Sequence, residues 1–262
     1  MNSQIERDSV INPYRKIIYE YSGRIFTFDD KVPLSESELE LQSIEPFLLS
    51  LEMKSRSKFE EQFIKSHSKL KNKENVIVEL GSGSGGHLIK LAQKFPDFLL
   101  YGFEFRYKRC VRTIQKAGDL DNIFVLQTTA NNFNQLFLPN SIDRLYVNFP
   151  DPWQKKRWLK NRLLNATFID NLLLSLKSGG IFSFKTDHDE YFGSFLEILK
   201  SSEALKQNKL KIVIETTDLY QSWCHNSDIY NNIIDEGRII TEFESMFLRE
   251  KKNINYLRCV VG

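Results

Sequence analysis

The chain has 262 residues, of which 41% are hydrophobic, so it is long enough to bury one sizeable core with a small accessory layer. No run approaches the roughly 18 to 20 apolar residues that a membrane-spanning helix needs, and residues 1–8 lack a signal-peptide pattern, so we expect a soluble, cytoplasmic protein. The net charge of +2 is too small to indicate nucleic-acid binding unless basic residues form a local patch.

The first part of the chain has a helical pattern. Pro33 and Ser35, followed by Glu38, resemble a helix start with a capping box, and the charged run over residues 52–73 suits an exposed helix. We therefore predict a helical N-terminal extension, residues 1–74, packed on a main domain of residues 75–262.

From residue 76 onward, short apolar runs rich in β-branched and aromatic residues alternate with helical patterns. Helices are expected at about residues 86–95, 106–117, 164–177 and 188–200. Strands are predicted at residues 76–80, 98–103, 123–126, 142–147, 181–184, 210–214 and 254–260, the last of them antiparallel at an edge or inserted late. The alternation predicts an α/β fold, with a mostly parallel sheet and helices on both faces.

Ligands of such sheets bind beyond the carboxyl ends of the strands, near the point where the strand order reverses. The first of these positions is a turn that follows Glu79 and contains Gly81, Gly83 and Gly86. Glycines permit a tight turn and a close approach of backbone to ligand, and their spacing also satisfies the dinucleotide fingerprint. Because a carboxylate would repel a pyrophosphate but suits the amino group of S-adenosylmethionine, Glu79 favours the latter cofactor.

The next two strands also end in candidate cofactor ligands. Glu104 ends the second strand, where an acid can accept hydrogen bonds from both ribose hydroxyls of either cofactor. Residues 128–131 follow the third strand, where a hydroxyl or an amide can bind an adenine edge.

The loop after the fourth strand holds Asp151 between Pro150 and Pro152. Prolines fix φ, so the loop is stiff and presents the acid in a defined place. Five cations follow within residues 155–162, flanked by two tryptophans. Such a patch indicates contacts with a phosphate backbone and with bases, the alternative being a solvated loop that leads into a helix.

The cysteines and histidines give no sign of a metal site. Cys110, Cys224 and Cys259 lie far apart, and none of the four histidines has the spacing of a metal ligand. We therefore treat the cysteines as structural and predict no metal.

With these motifs, the chain from residue 76 onward resembles the bacterial-type tRNA (guanine-N7-)-methyltransferases. The most specific match is the segment Asn-Phe-Pro-Asp-Pro-Trp at residues 148–153, and further matches lie at residues 22–24, 184–187, 217–219 and 241–244. The resemblance implies a class I Rossmann-like methyltransferase fold. It also implies transfer of a methyl group from S-adenosylmethionine to N7 of a guanine in the tRNA variable loop.

The resemblance also implies a role for individual residues. Asp151 is implied to be catalytic. The implied cofactor-binding residues are Glu79, Gly81, Gly83, Glu104, Thr129, Ala130 and Asp151. The implied tRNA contacts are Lys155, Arg157, Lys160, Arg162, Asp187, Thr241 and Glu244. Thr129 stands where the family usually has Asp or Asn, so Asn131 is the alternative for the adenine contact.

Such a reaction needs little catalytic apparatus. Guanine N7 carries a lone pair and no proton, so we expect no general base and assign Asp151 to placing the base and offsetting its developing charge. Two alternatives stay open: a dinucleotide-dependent oxidoreductase, and a non-catalytic RNA-binding protein with a methyltransferase fold. Both a monomer and a homodimer also stay open.

Overall fold

The structure is a computed structural model, which describes residues 17–21, 24–28, 75–135, 137, 139–221 and 239–262. The described strands are β1 Ile17–Tyr21, β2 Ile25–Phe28, β3 Asn75–Leu80, β4 Phe98–Phe103, β5 Ile123–Gln127, β6 Ile142–Asn148, β7 Leu176–Thr186, β8 Leu210–Thr216 and β9 Asn255–Val261. The described α-helices are α1 Gly86–Lys94, α2 Tyr107–Ala117, α3 Ala166–Ser175, α4 Asp189–Ser201, α5 Glu203–Lys206 and α6 Glu242–Arg249. Two 3-10 helices span Ala130–Gln135 and Lys156–Asn161.

The strands form a single sheet in the order β1-β2-β5-β4-β3-β6-β7-β9-β8. All pairs from β2 to β7 are parallel, whereas β9 runs antiparallel to both β7 and β8, and β1 runs antiparallel to β2. The predicted mostly parallel α/β fold is therefore confirmed. The last strand, β9, is antiparallel and is inserted between β7 and β8, which is the second of the two expected placements. It does not lie at the edge of the sheet.

Apolar side chains are buried on both faces of the sheet. Along β3, Val76 and Val78 belong to one buried cluster and Ile77 belongs to the other. Helices α3 and α4 cover the first face with residues such as Phe168, while α1 and α2 cover the second with residues such as Leu91. Burial on both faces explains why these strands read as nearly continuous apolar runs.

The strand order reverses at β3. The chain passes from β3 to β4 and β5 on one side, and later returns to place β6 on the other side of β3. The carboxyl ends of β3 and β6 therefore border the crevice in which ligands of open α/β sheets bind. The glycine-rich turn leaves β3 at this point, and the Asp151 loop leaves β6.

Part of the predicted N-terminal extension is strand and not helix. Strand β2 pairs in parallel with β5, so β1 and β2 extend the main sheet. Arg24 holds them in place, because its guanidinium donates hydrogen bonds to the backbone carbonyls of Leu120 and Gly118 after α2. The helices expected over residues 33–38 and 52–73 lie outside the described residues. Among the described helices, none is long and apolar enough to cross a membrane.

Candidate active site

The turn after β3 leaves its backbone open to a ligand. Gly81, Gly83 and Gly85 have positive φ values of 79°, 58° and 76°, which glycine adopts without steric cost. The backbone N–H groups of Gly81 and Ser82 donate to the carbonyl of Phe103 at 2.9 and 2.8 Å, so the turn is fixed to the end of β4. A Cβ added to Gly81 or Gly83 would meet nothing within 4 Å. A ligand can therefore approach the backbone closely here.

Glu79 is a buried carboxylate whose two oxygens have different surroundings. Its side chain lies at the end of β3 and the residue is only 2% exposed. Oε1 lies 2.9 Å from Asn148 Nδ2 and 2.9 Å from His87 Nδ1, whereas Oε2 has no hydrogen-bond partner among the described residues. An unpaired buried carboxylate oxygen is costly, so a cationic ligand would relieve the cost. The residue thus fits the amino group of S-adenosylmethionine.

The end of β4 supplies a second acid and an exposed ring. Glu104 is buried, and its Oε1 accepts a hydrogen bond from the backbone N–H of Arg106 at 2.7 Å. Oε2 lies 3.9 Å from Arg109 Nη1, beyond hydrogen-bonding distance, so this oxygen can accept from a ribose hydroxyl. Phe105, which follows this acid, is 70% exposed, an unusual position for a large apolar side chain. The sequence does not predict this exposure, and the position of Phe105 after Glu104 is its only signal of a functional role. Thr129, two residues after the end of β5, is exposed.

The Asp151 loop has an uncommon backbone conformation. Phe149 and Trp153 have positive φ values of 50° and 45°, which are rare for residues other than glycine. The backbone N–H of Phe149 donates to the carbonyl of Lys185 at 2.8 Å and so fixes the start of the loop to β7. Asp151 itself is exposed. The loop therefore presents the acid to solvent from a fixed backbone, as the flanking prolines predicted.

Arg162 supports this loop from inside the protein. The residue is buried, and its Nε donates to the carbonyl of Pro152 at 2.8 Å. Its two other nitrogens donate to Ser194 Oγ at 3.0 Å and to Glu190 Oε1 at 3.1 Å, both on α4. In this structure the donors of Arg162 position the loop, and its implied contact with RNA stays a prediction.

The other cations after the loop face outward. Lys155 Nζ and the guanidinium carbon of Arg157 lie 4.8 and 4.9 Å from the centre of the Trp158 ring, and Lys160 is exposed on the same 3-10 helix. Trp153 packs against Trp158 edge to face, with ring centres 5.9 Å apart. The cations and rings thus form one outward surface, which we call the Lys155–Lys160 patch. Their contact with RNA stays a prediction.

Two residues expected to contact tRNA are buried at the start of α6. The Thr241 N–H donates to Glu244 Oε2 at 3.0 Å and the Glu244 N–H donates to Thr241 Oγ1 at 3.0 Å, which is a capping box. Glu244 is 0% exposed and also accepts from Lys185 Nζ at 3.0 Å and from the Tyr220 hydroxyl at 2.7 Å. Both side chains are buried in this structure, and their contact with tRNA stays a prediction. Asp187 remains partly exposed and accepts from Lys252 at 3.3 Å.

Burial governs the ionisation of this cluster. It lowers the pKa of Lys185, although the Glu244 carboxylate offsets part of the effect. It also raises the pKa of Tyr220, and the neighbouring Glu244 charge raises that pKa further. Tyr220 therefore stays a neutral hydrogen-bond donor to the carboxylate. Within the described part of the chain, no group of His, Cys, Asp and Glu side chains could hold a metal ion.

Comparison with known proteins agrees with this geometry. A family model described as "Putative methyltransferase" matches residues 73–257. The tRNA (guanine-N(7)-)-methyltransferase of Mycoplasmoides gallisepticum is 33% identical over 191 residues, which cover 72% of this chain and 84% of the relative. That of Bdellovibrio bacteriovorus is 34% identical over 183 residues, which cover 69% and 80%. The chain belongs to the tRNA (guanine-N7-)-methyltransferase family.

The family match begins just before β3 and ends within β9, so β1 and β2 of this methyltransferase lie outside it. A bifunctional glycosyltransferase/methyltransferase of Fusobacterium nucleatum is also 34% identical over 189 residues, but the chain spans only 27% of its length. The crystal structure of the 16S rRNA methyltransferase KamB matches with a TM-score of 0.50 at 15% identity, over 80% of this chain and 95% of that one. This likeness supports the class I methyltransferase fold. The comparisons favour neither the oxidoreductase nor the non-catalytic alternative.

Proposed function

We propose that this methyltransferase transfers the methyl group of S-adenosylmethionine to N7 of a guanine in the variable loop of tRNA. The observation that carries the proposal is the junction of β3 and β6, where Asn148 joins the Glu79 carboxylate to the loop that presents Asp151. Membership of the family supports tRNA as the substrate. Because tRNA is the proposed substrate, we place the activity in the cytoplasm.

The cofactor would lie across the carboxyl ends of β3 and β4. Glu79 Oε2 would accept a hydrogen bond from the amino group, and Glu104 Oε2 would accept one from a ribose hydroxyl. Gly81 and Gly83 leave room for close approach, and the exposed Phe105 ring offers an apolar surface to the adenine. When bound, S-adenosylmethionine supplies a methyl group attached to a positively charged sulfur.

The chemistry requires placement more than proton transfer. Guanine N7 would take the methyl group that the bound cofactor supplies, with the electron pair of the carbon–sulfur bond left on sulfur, and no proton has to leave N7. The methylated base becomes cationic, so a nearby negative charge stabilises the transition state. Asp151 provides this charge and a hydrogen-bond acceptor for the guanine edge. The prolines and Arg162 keep it in place, which contributes to orientation.

The substrate would be held by the Lys155–Lys160 patch. Lys155, Arg157 and Lys160 can neutralise phosphates, and the tryptophan rings can stack on unpaired bases. A-form RNA hides guanine N7 in a deep and narrow groove, so the target guanine must be unpaired or extruded. A loop of tRNA satisfies this requirement, which a helical stem does not.

A tRNA with one altered atom tests the proposal. We would prepare a ligated tRNA that carries a single 7-deazaguanosine at the methylated position of the variable loop, and a control tRNA with 7-deazaguanosine at a guanine elsewhere. Methyl transfer from labelled S-adenosylmethionine should be abolished in the first tRNA, because no N7 lone pair is present, and retained in the second. Transfer to the first tRNA at the normal rate would contradict N7 as the acceptor.

A further inference from the structure

The Glu79 carboxylate is held on one side only. Asn148 Nδ2 and His87 Nδ1 each lie 2.9 Å from Oε1, and Oε2 is buried without a hydrogen-bond partner among the residues that the structure describes. We infer that His87 and Asn148 are positioning residues that hold Glu79 for the ammonium group of the cofactor. This inference rests on the proposed function and adds two residues to it.

The hydrogen atoms follow from the distances. The amide nitrogen Nδ2 of Asn148 only donates, so it cannot accept from His87 Nδ1, which lies 3.2 Å away. A carboxylate oxygen only accepts, so the 2.9 Å contact between His87 Nδ1 and Glu79 Oε1 requires a proton on Nδ1. Both nitrogens then direct a hydrogen to the same acceptor, Oε1 of Glu79. One carboxylate oxygen is saturated by two donors. The other remains available to a ligand.

Three elements fix these donors. His87 lies in the first turn of α1, and its ring packs edge to face on Tyr146 with centres 5.3 Å apart. Tyr146 lies in β6 directly opposite Glu79 in β3. Asn148 is the last residue of β6, three positions before Asp151. The hydrogen bond from Asn148 thus connects the Glu79 carboxylate to the loop that holds Asp151.

Loss of either donor should therefore weaken the binding of one part of the cofactor, its ammonium group. If His87 no longer donates, Glu79 loses a fixed orientation and its charge is less well supported, so it binds a cation less tightly. Glu104 and the glycine-rich turn would hold the adenosine part of the cofactor. The affinity for a ligand without the ammonium group should not change.

The test compares two ligands by titration calorimetry on the full chain. S-adenosylhomocysteine carries the ammonium group, whereas 5′-methylthioadenosine lacks the whole amino-acid part. We expect His87→Phe, which keeps an aromatic ring, to weaken S-adenosylhomocysteine about tenfold to a hundredfold and to leave methylthioadenosine unchanged. His87→Asn, which can place an amide donor near the position of Nδ1, should recover most of the lost affinity.

Asn148→Leu gives an independent test that does not alter α1. It removes the other donor at similar volume, so it should weaken S-adenosylhomocysteine and spare methylthioadenosine in the same way. Steady-state kinetics should separate the two positions. His87→Phe should raise the KM for S-adenosylmethionine with kcat retained, whereas Asn148→Leu should raise KM and lower kcat, because Asn148 also begins the Asp151 loop.

The outcomes are distinct. Equal losses for both ligands would indicate a general structural role and overturn the inference, as would variants that bind S-adenosylhomocysteine like the wild type. Wild-type protein that bound no S-adenosylhomocysteine would overturn the proposed function itself, and the inference with it. Selective loss in both variants, with recovery in His87→Asn, would support the two positioning roles.

Discussion

Asp151 is the residue on which the proposed chemistry depends most. Asp151→Asn keeps the shape and a hydrogen-bond acceptor but removes the negative charge, so kcat should fall on the order of 10²-fold, because the cationic product is no longer stabilised. Single-turnover rates with saturating tRNA would measure this. The affinity for tRNA, measured separately, should change little. Turnover near the wild-type rate would rule out the electrostatic role.

Arg162 and Lys160 form a matched pair, one buried and one exposed. Arg162→Ala should lower kcat and destabilise the protein by about 2 kcal/mol, since it removes charged hydrogen bonds to the loop and to α4. Lys160→Ala should weaken tRNA binding and leave kcat and stability unchanged. Both are measured by filter binding, kinetics and urea unfolding. An Arg162→Ala protein that lost only tRNA affinity would support a contact between Arg162 and RNA, and would contradict its role in positioning the loop.

At the residue scale, the sequence predicts which side chains could bind a ligand better than it predicts whether they are exposed or buried. The sequence singles out Glu79, Gly81 and Glu104 by their positions at strand ends, and the structure places them at the carboxyl ends of β3 and β4. Arg162 and Glu244 could not be assigned in the same way, since a charged residue in a motif may be exposed or may complete a buried network. The unpaired oxygen of Glu79 depends on neighbours that are far away in sequence.

The Lys155–Lys160 patch should act as one electrostatic unit. A triple variant, Lys155→Ala with Arg157→Ala and Lys160→Ala, should reduce the slope of log K against log salt for tRNA by about 2, at roughly 0.7 to 0.9 per lost phosphate contact. The affinity for S-adenosylhomocysteine should be unchanged. As a control, Lys200→Ala with Lys206→Ala removes exposed lysines that pair with Glu215 and Glu203, and should leave the slope intact. An unaltered slope in the triple variant would contradict RNA binding by this patch.

Helix α6 begins in a buried network that should matter for stability. Glu244→Gln leaves the Lys185 ammonium buried without its hydrogen-bonded counter-charge, so the free energy of unfolding should fall by about 3 to 5 kcal/mol in urea titrations. Adding Lys185→Met to it should recover much of the loss, because no uncompensated charge is then left. A Glu244→Gln protein of normal stability that failed to bind tRNA would instead support the contact that the family resemblance implied.

At the element scale, the predicted strands and helices from residue 75 onward lie close to the observed bounds, because apolar runs and helical periodicity are local signals. The exception is β7, which begins at Leu176, five residues before the predicted strand. The β1–β2 pair was missed, although two apolar runs separated by Ser22, Gly23 and Arg24 are typical of a hairpin. Helix α6 was missed as well, since the Thr-x-x-Glu spacing at Thr241 was interpreted only as an RNA motif, whereas it also predicts a helix start. The order of the strands is a long-range property that local patterns leave open.

Both faces of the whole sheet can be probed through cysteines. Cys110 lies in one buried cluster and Cys259 in the other, and burial raises the pKa of each thiol to about 12. In a Cys224→Ser variant, neither thiol should react with a disulfide reagent at neutral pH until the protein unfolds. Rapid labelling of the native variant would show that one face is open.

The same thiols contribute to the pH dependence of stability. Their ordinary pKa is 9.0, and the folded state raises it to about 12, so the folded protein binds more protons than the unfolded chain between these values. Their contribution to the free energy of unfolding should therefore fall as the pH rises above about 9. Replacing Cys110 or Cys259 with Ala should flatten this part of the stability profile. An unchanged slope would mean that the thiols are not protected.

The most direct measurement concerns the product of the whole molecule. Purified protein would be incubated with bulk tRNA and labelled S-adenosylmethionine, and the RNA would then be digested and its methylated nucleosides identified. We expect the label in N7-methylguanosine, and about a hundredfold less of it in the Asp151→Asn control under initial-rate conditions. Label in a different nucleoside would contradict the assignment of guanine N7, and tRNA binding without any transfer would contradict the proposed activity.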